Sequence, residues 1–394
     1  VARWDRAALR VVIPLFLASR LWLIVASGIA AHLTWPAILS RPTTMPFWQT
    51  WRQWDADLYA HIATVGYLPA EAHTTPAFFP FFPLLERLGA PLWGGNPYLA
   101  GLLITNLAWF VALYQIFRLA SEDFSPTIAQ GTVAALTFFP TAFFGFVPYP
   151  EALFLALAIA ALRQIRHHHW LAAGLLGGLA ALTRQAGLLL IVPYLWEWIT
   201  SKPLRGPGPI TPPPHPRMKR ICLDDVHMRA LLPVLLIPTG TTLYALWLWH
   251  VVGDPLAFVH AQGTWQRVFA WPWQTLWLGV HALGTQPSRY FTWRAWQELL
   301  TVLAMGGLLL AGLKRLPTTY LVFALPLYLL FLTQLDPAWP LLSQSRFLLE
   351  VFPLFIVLGE AIAAHRRVLI ILAAIGIPLQ MILVGIFSRG GWII

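Results

Sequence analysis

Residues 368–388 read VLIILAAIGIPLQMILVGIFS, an apolar run without a charged side chain, preceded by the basic pair Arg366-Arg367. A hydrocarbon core about 30 Å thick is crossed by about twenty apolar residues in a helix, and this run is that long. Similar blocks recur at about 9–31, 98–118, 127–147, 151–165, 170–184, 186–200, 230–251, 296–313, 317–335 and 346–364. The reading is an all-α integral membrane protein of about eleven transmembrane helices, one polytopic domain over residues 1–394.

Composition points the same way. Of 394 residues, 58% are hydrophobic and 11% charged, and the mean hydropathy is +0.65, values that exclude a soluble protein, a disordered one and a nucleic-acid-binding domain. The net charge of +10 is carried mostly by arginine and is spread between the apolar blocks rather than gathered in one patch. One cysteine, Cys222, allows no internal disulfide.

The first block follows Arg3, Arg6 and Arg10, is too long for a secretion signal and carries Arg20 at its centre, so it reads as an uncleaved span. With the N-terminus placed in the cytoplasm, sixteen Lys and Arg fall on inner segments and nine on outer ones, and all three lysines are inner. That bias predicts a plasma-membrane protein with its N-terminus inside and C-terminus outside. Blocks 170–184 and 186–200 are separated by Gln185 alone and read as a hairpin with Thr183-Arg184-Gln185 at its tip. Segment 201–229, with Pro203, Pro207, Pro209 and Pro212 to Pro214 among basic residues, reads as an irregular cytoplasmic loop. Two long outer loops remain, 34–97 and 252–295, and loops of that length usually carry function.

The first of them holds the chemistry. From Asp55 to Val65 nothing breaks a helix, and Leu58, Ile62 and Val65 make one apolar stripe. Asp55 is then the N-cap or a first-turn residue, where free N–H groups and the helix dipole favour a carboxylate. Trp51, Trp54, Tyr59 and Tyr67 crowd around Asp55 and Asp57 with Arg52 close by, aromatic faces beside acids that suit a sugar ring. Phe78-Phe79-Pro80-Phe81-Phe82-Pro83 is too short and proline-rich to span and reads as a membrane-dipping wedge where an amphiphilic substrate enters. Asp57 with His61, and the tract His167-His168-His169, are weak metal candidates: two common ligands in one case, and in the other adjacent helical positions that diverge by about 100°. The tract reads instead as an interfacial anchor, and no metal is expected.

The string from Trp54-Asp55 to Gly66-Tyr67, followed by Phe79-Pro80-Phe81-Phe82-Pro83-Leu84, resembles the PIG-V family of GPI mannosyltransferase II and its prokaryotic relatives. Four further strings in order extend the resemblance over about residues 15–355: Phe139 to Phe144 with Tyr149 to Phe154, Leu179 to Arg184, Gly253 to Phe258 with Gln262 and Trp265, and Ser345-Arg346-Phe347 to Phe352-Pro353. The resemblance implies a GT-C glycosyltransferase that uses a polyprenyl-phosphate sugar and takes an essential acid from its first outer loop. Asp55 matches that acid. Asp57 lies at a less fixed position, and Pro150 before Glu151 departs from the pattern.

Residue chemistry leads to the same expectation. Transfer from a phosphate-linked sugar needs a base for the acceptor hydroxyl and cations for the leaving phosphate. Asp55 is the candidate base, with inversion at the anomeric carbon. Arg184, Arg346 and Arg20 are candidates for the phosphate, since an arginine at bilayer depth costs on the order of 3 kcal/mol and is rarely kept without a partner. Structural alternatives stand beside each: Arg346 snorkels, Arg184 ends a hairpin, Arg20 pairs with Glu350 or Glu151, Glu151 is a helix N-terminal acid, and Asp336 and Asp254 are loop and cap residues. Trp54, Tyr59, Asp57 and Glu151 complete the substrate-binding set. The expected partners are membrane lipid, a polyprenyl-phosphate-linked donor with mannose as the expected sugar, and a lipid-linked or surface glycan acceptor on the outer face. The rival reading is a lipid-glycan flippase or transporter, and no internal repeat of the kind transporters use pairs the two halves.

Overall fold

The computed structural model describes residues 5–32, 47–201, 228–286 and 288–391. The proline-rich basic loop read at 201–229 lies almost wholly outside the described residues, as do Cys222 and residues 33–46 of the first long loop.

The chain is a helical bundle. In order it forms α1 Arg6–His32, α2 Asp55–Val65, α3 Phe81–Gly89, α4 Pro97–Asp123, α5 Pro126–Phe138, α6 Glu151–Arg166, α7 Trp170–Thr183, α8 Ile191–Thr200 and α9 Leu236–Val252. The short α10 Ala257–His260 follows, then α11 Pro272–Ala282, α12 Arg289–Gly312, α13 Thr318–Leu332, α14 Gln344–Phe347, α15 Pro353–Ala364 and α16 Arg366–Ser388. Two two-residue strands, β1 Val268–Phe269 and β2 Gln334–Leu335, pair antiparallel.

The all-α, multi-pass character expected from the sequence is observed. The count of eleven spans is corrected: among the described residues five helices are long and apolar enough to cross a membrane, or six if the bent pair Gln344–Glu350 and Pro353–Ala364 is one broken span. The reason is helix length. The blocks read at 127–147, 151–165, 170–184, 186–200 and 317–335 carry helices of 13, 16, 14, 10 and 15 residues. At about 1.5 Å per residue these reach roughly 15–24 Å, short of the hydrocarbon core. Hydropathy sees apolar composition but not the breaks: Pro140 follows the end of α5, and Pro148 and Pro150 precede α6.

Packing relies on small residues. α15 lies against α5 where Gly131 meets Gly359; a methyl on Gly131 would stand 2.7 Å from the Gly359 carbonyl oxygen. Close backbone approach is how helices associate where lipid supplies no hydrophobic drive. The largest core cluster runs through α4, α5, α6, α13 and α15. A second, with Trp51, Phe143, Phe144, Tyr149 and Phe387, ties the first loop to α16. A third, with Tyr59, Phe78, Phe79, Phe82 and Tyr244, ties it to α9, so α2 is clamped by aromatic packing on both sides.

Candidate functional site

Asp55 opens α2, a helix over the range read from the sequence. The residue before it, Trp54, takes a positive φ of 55° that a bulky side chain adopts only when packing imposes it, and no side chain caps the helix. Asp55 is therefore a first-turn acid rather than a cap.

Three more helix ends converge on it. Arg346, on α14, donates from Nη1 to Asp55 Oδ2 at 2.8 Å and from Nε to Glu151 Oε1 at 2.5 Å. Arg184, in the extended residue after α7, donates to the same Glu151 oxygen at 2.6 Å and stands 3.0 Å from Glu350 Oε1 without hydrogen-bond alignment. Glu151 and Glu350 are fully buried. The Arg346 guanidinium lies over Tyr149 and Phe144, and that of Arg184 over Phe347. Two arginines thus serve three acids, Asp55, Glu151 and Glu350. Buried charges persist only when paired in this way.

The cluster forms one wall of a cavity of about 720 Å³. Phe78, Phe79 and Leu58 line it, and Tyr59 lines it beside Asp55. Burial, then the charge of Asp55, push the Tyr59 hydroxyl well above the usual tyrosine range, so it stays a neutral O–H. Of the four non-glycine residues with positive φ among those described, three line this cavity: Trp54, Gln266 and Ser343. Strained backbone gathered at one cavity is a mark of a functional site.

The cavity also holds a residue the sequence reading missed, close to the cluster: its guanidinium shares the Phe347 ring with those of Arg184 and Arg346. Arg267 lines the cavity, lies over the Phe347 ring at 5.0 Å and donates to Gln334 Oε1 at 2.8 Å. Among the described residues no carboxylate is within ion-pair distance of it. Burial, then repulsion from Arg346, pull it down to about 10, which leaves it cationic at neutral pH. It is placed by the β1–β2 pairing, Val268 with Leu335 and Phe269 with Gln334, a contact invisible in sequence. One signal was available: from Gly253 to Gln286 the charged residues are Asp254 and Arg267 alone.

The remaining candidates fall as follows. Trp54 lines the cavity and donates its indole N–H to Gly391 at 3.2 Å. Asp57 turns to the other face of α2, half-exposed, and accepts from Arg52 at 2.5 Å. His61 pairs with Glu71 at 2.9 Å, away from Asp57's carboxylate. Arg20 is outside the cavity: it donates to Asn106 Oδ1 at 2.9 Å and the Gly145 carbonyl at 2.6 Å, among the rings of Phe16, Trp109 and Phe146, and does not reach Glu151 or Glu350. Asp336 does hold a loop, accepting backbone N–H groups of Ala338 and Trp339 through Oδ1. Asp254 accepts from Leu256 N–H and His260, and the His260 hydrogen bond holds its carboxyl below the usual range.

An acid and converging buried arginines thus border a large cavity within a multi-pass helical bundle. Among solved structures the fold is similar to that of ArnT from Cupriavidus metallidurans bound to undecaprenyl phosphate, with a TM-score of 0.52 and 15% identity over 89% of this chain. Looser likenesses are to the oligosaccharyltransferase of Archaeoglobus fulgidus with zinc and sulfate, TM-score 0.42, 14% identity and 96% of this chain, and to AglB of the same organism with an inhibitory peptide and a dolichol-phosphate, TM-score 0.44, 14% identity and 98%. The chain spans 60%, 53% and 56% of those proteins' lengths, respectively. The sequence matches no protein-family model and no curated protein sequence.

Proposed function

We propose that the protein is a GT-C glycosyltransferase that moves a hexose, mannose by its resemblance to the PIG-V family, from a polyprenyl-phosphate donor to a lipid-linked or surface acceptor. What supports this most is the polarity of the cavity. The cavity carries Asp55, with Oδ2 fixed by Arg346 and Oδ1 accepting from no described group, and also Arg267, a cation with no carboxylate at ion-pair distance among the described residues.

The chemistry follows. Asp55 Oδ1 takes the proton of the acceptor hydroxyl as its oxygen bonds to the anomeric carbon. The bond from that carbon to the phosphate oxygen breaks, and the phosphate leaves with the electron pair. Attack and departure on opposite faces give inversion. Arg267, able to offer bidentate donors, receives the growing phosphate charge. Arg184 and Arg346 are committed to Glu151, Glu350 and Asp55, so their role is to orient the base. The phosphate role first read for Arg20 is not part of this proposal, because Arg20 lies off the cavity. The undecaprenyl phosphate bound by ArnT from C. metallidurans is a ligand of the class this cavity would take. The surplus of cations on inner segments supports an N-terminus inside and a cavity on the outer face.

The test is transfer of radiolabelled mannose from synthetic polyprenyl-phosphate mannose by the purified protein, with native lipid extract as acceptor. Product that disappears in Asp55→Asn supports the reading. Turnover retained in Asp55→Asn removes Asp55 as base, and movement of intact lipid-linked sugar across vesicles without transfer favours the flippase.

A further inference from the structure

Beside Arg267, β2 and the turn after it present Gln334 and Asp336 to the same cavity. Residues two apart on extended chain project to one side. Asp336 is 5% exposed. Its Oδ1 is occupied by the N–H groups of Ala338 and Trp339, whereas no described group donates to Oδ2. The Gln334 Oε1 is taken by Arg267, which leaves its amide N–H groups free to donate. A carboxylate oxygen that no described group donates to and that opens on the cavity is an acceptor placed for a ligand's hydroxyl.

Resting on the function proposed above, we infer that Asp336 and Gln334 form the subsite for the donor's sugar ring: one hydroxyl donates to Asp336 Oδ2 and accepts from Gln334 Nε2. A carboxylate acceptor beside an amide donor satisfies both roles of a hydroxyl at once. A phosphate offers only acceptors and is repelled by Asp336, so it takes Arg267 next door. The sugar that follows it in the donor then meets the acid. Trp265, Trp339 and Trp54 on the cavity wall supply apolar faces for the C–H face of a pyranose. The ligand class is a neutral pyranose with a free hydroxyl on a polyprenyl phosphate, and the subsite selects the sugar while Asp55 acts on the acceptor.

Asp336→Asn isolates this role. Asparagine keeps an Oδ1 to accept from Ala338 and Trp339, so the turn survives, and it replaces the free acceptor with an NH₂ donor. Dissociation constants would be measured for undecaprenyl phosphate and for its mannose, glucose and galactose conjugates. The wild type is expected to bind one conjugate more tightly than the sugar-free lipid. In the variant the sugar-free constant is expected to be unchanged and that preference to fall by about tenfold or more, the loss of a hydrogen bond to a charged group. Preference retained in full overturns the subsite. A wild type that binds all four lipids alike also overturns it and leaves the transferase reading standing, whereas a wild type that binds none overturns the transferase reading itself. A parallel series in the wild type with monodeoxy sugars needs no variant: one position should lose the preference, and if every deoxy conjugate binds as well as its parent, the assignment fails.

Discussion

α6 carries an ion network at each end, and the two are built from similar parts. At the Glu151 end two arginines serve Asp55, Glu151 and Glu350. At the Arg166 end Arg118, Arg163 and Arg166 serve Asp5, Glu122, Asp123 and Glu197. Both carry one more acid than arginine, two against three and three against four. They differ in what their free valences meet. At the Arg166 end Tyr320 donates to Asp123, Thr319 to Glu197 at 2.5 Å, and His167 meets Glu122, so the acids are used up by the protein. At the Glu151 end Asp55 keeps an oxygen toward a 720 Å³ cavity. A network of buried charge is not a site by virtue of its charge; it becomes one where an atom is left over and a cavity receives it.

The severest test of that contrast is Asp55→Asn. The amide keeps the size of the side chain and one acceptor for Arg346, but it does not take a proton. Transfer is expected to fall by about 10³-fold, within the range general-base catalysis supplies. Next in size is Arg267→Ala, for which the loss of a charge-assisted phosphate contact is expected to weaken undecaprenyl phosphate binding by about 10- to 100-fold, read in the same binding assay. If Arg184→Lys, which alters a cation already paired with acids, weakened that binding more than Arg267→Ala, the phosphate would belong beside Asp55 and the distinction between committed and free arginines would fail.

How much of this was legible in the chain follows from what makes each contact. α2 was readable to the residue because its helix signal is local: no breaker lies between Asp55 and Val65. Glu151, Arg184 and Arg346 stood out as charges in apolar surroundings, which lipid makes costly. The same logic misplaced Arg20, because an arginine can be satisfied by a carbonyl, an asparagine and three aromatic faces with no ligand at all. Arg267 was not legible, since its place depends on a four-residue β contact between distant segments. The number of spans was not legible either: hydropathy is blind to where prolines and glycines cut an apolar run.

Glu86 sharpens the comparison from outside both networks. It lies on α3 in the first long loop, fully buried, and neither carboxylate oxygen has a described partner. Gly101 makes the room: a methyl there would stand 2.1 Å from Glu86 Oε1. Burial raises its carboxyl well above the usual range, with Arg52 opposing. A folded-state pKa above the unfolded one means that the group's contribution is whole below about pH 4.3 and is lost as pH rises toward the folded value. Stability should therefore fall with pH across that window by up to about 1.4 kcal/mol per unit. Glu86→Gln should flatten the slope and raise the unfolding temperature at neutral pH. An unchanged slope would mean that Glu86 is ionised and has found a donor, as Glu122 has in the network at the Arg166 end.

The smallest effect is expected where the comparison is most exposed to contradiction. Arg163 donates to both oxygens of Glu122, at 2.8 and 2.6 Å, at the far end of α6 from Asp55. Glu122 keeps Arg118 at 2.7 Å and His167 at 3.0 Å when Arg163 is removed, so no charge is stranded. Arg163→Ala should cost about 1 kcal/mol or less in stability, as for other partly exposed pairs, and leave transfer unchanged. The measurement is the unfolding midpoint in detergent beside the rate of sugar transfer. A rate lowered tenfold with the midpoint intact would mean that α6 couples its two ends, and that the network without a cavity belongs to the mechanism after all. The packing of α6 against α4 and α7, with its own Phe154, Leu155 and Ile159 fully buried, argues against it, because a helix so enclosed has no second position through which one end could report to the other.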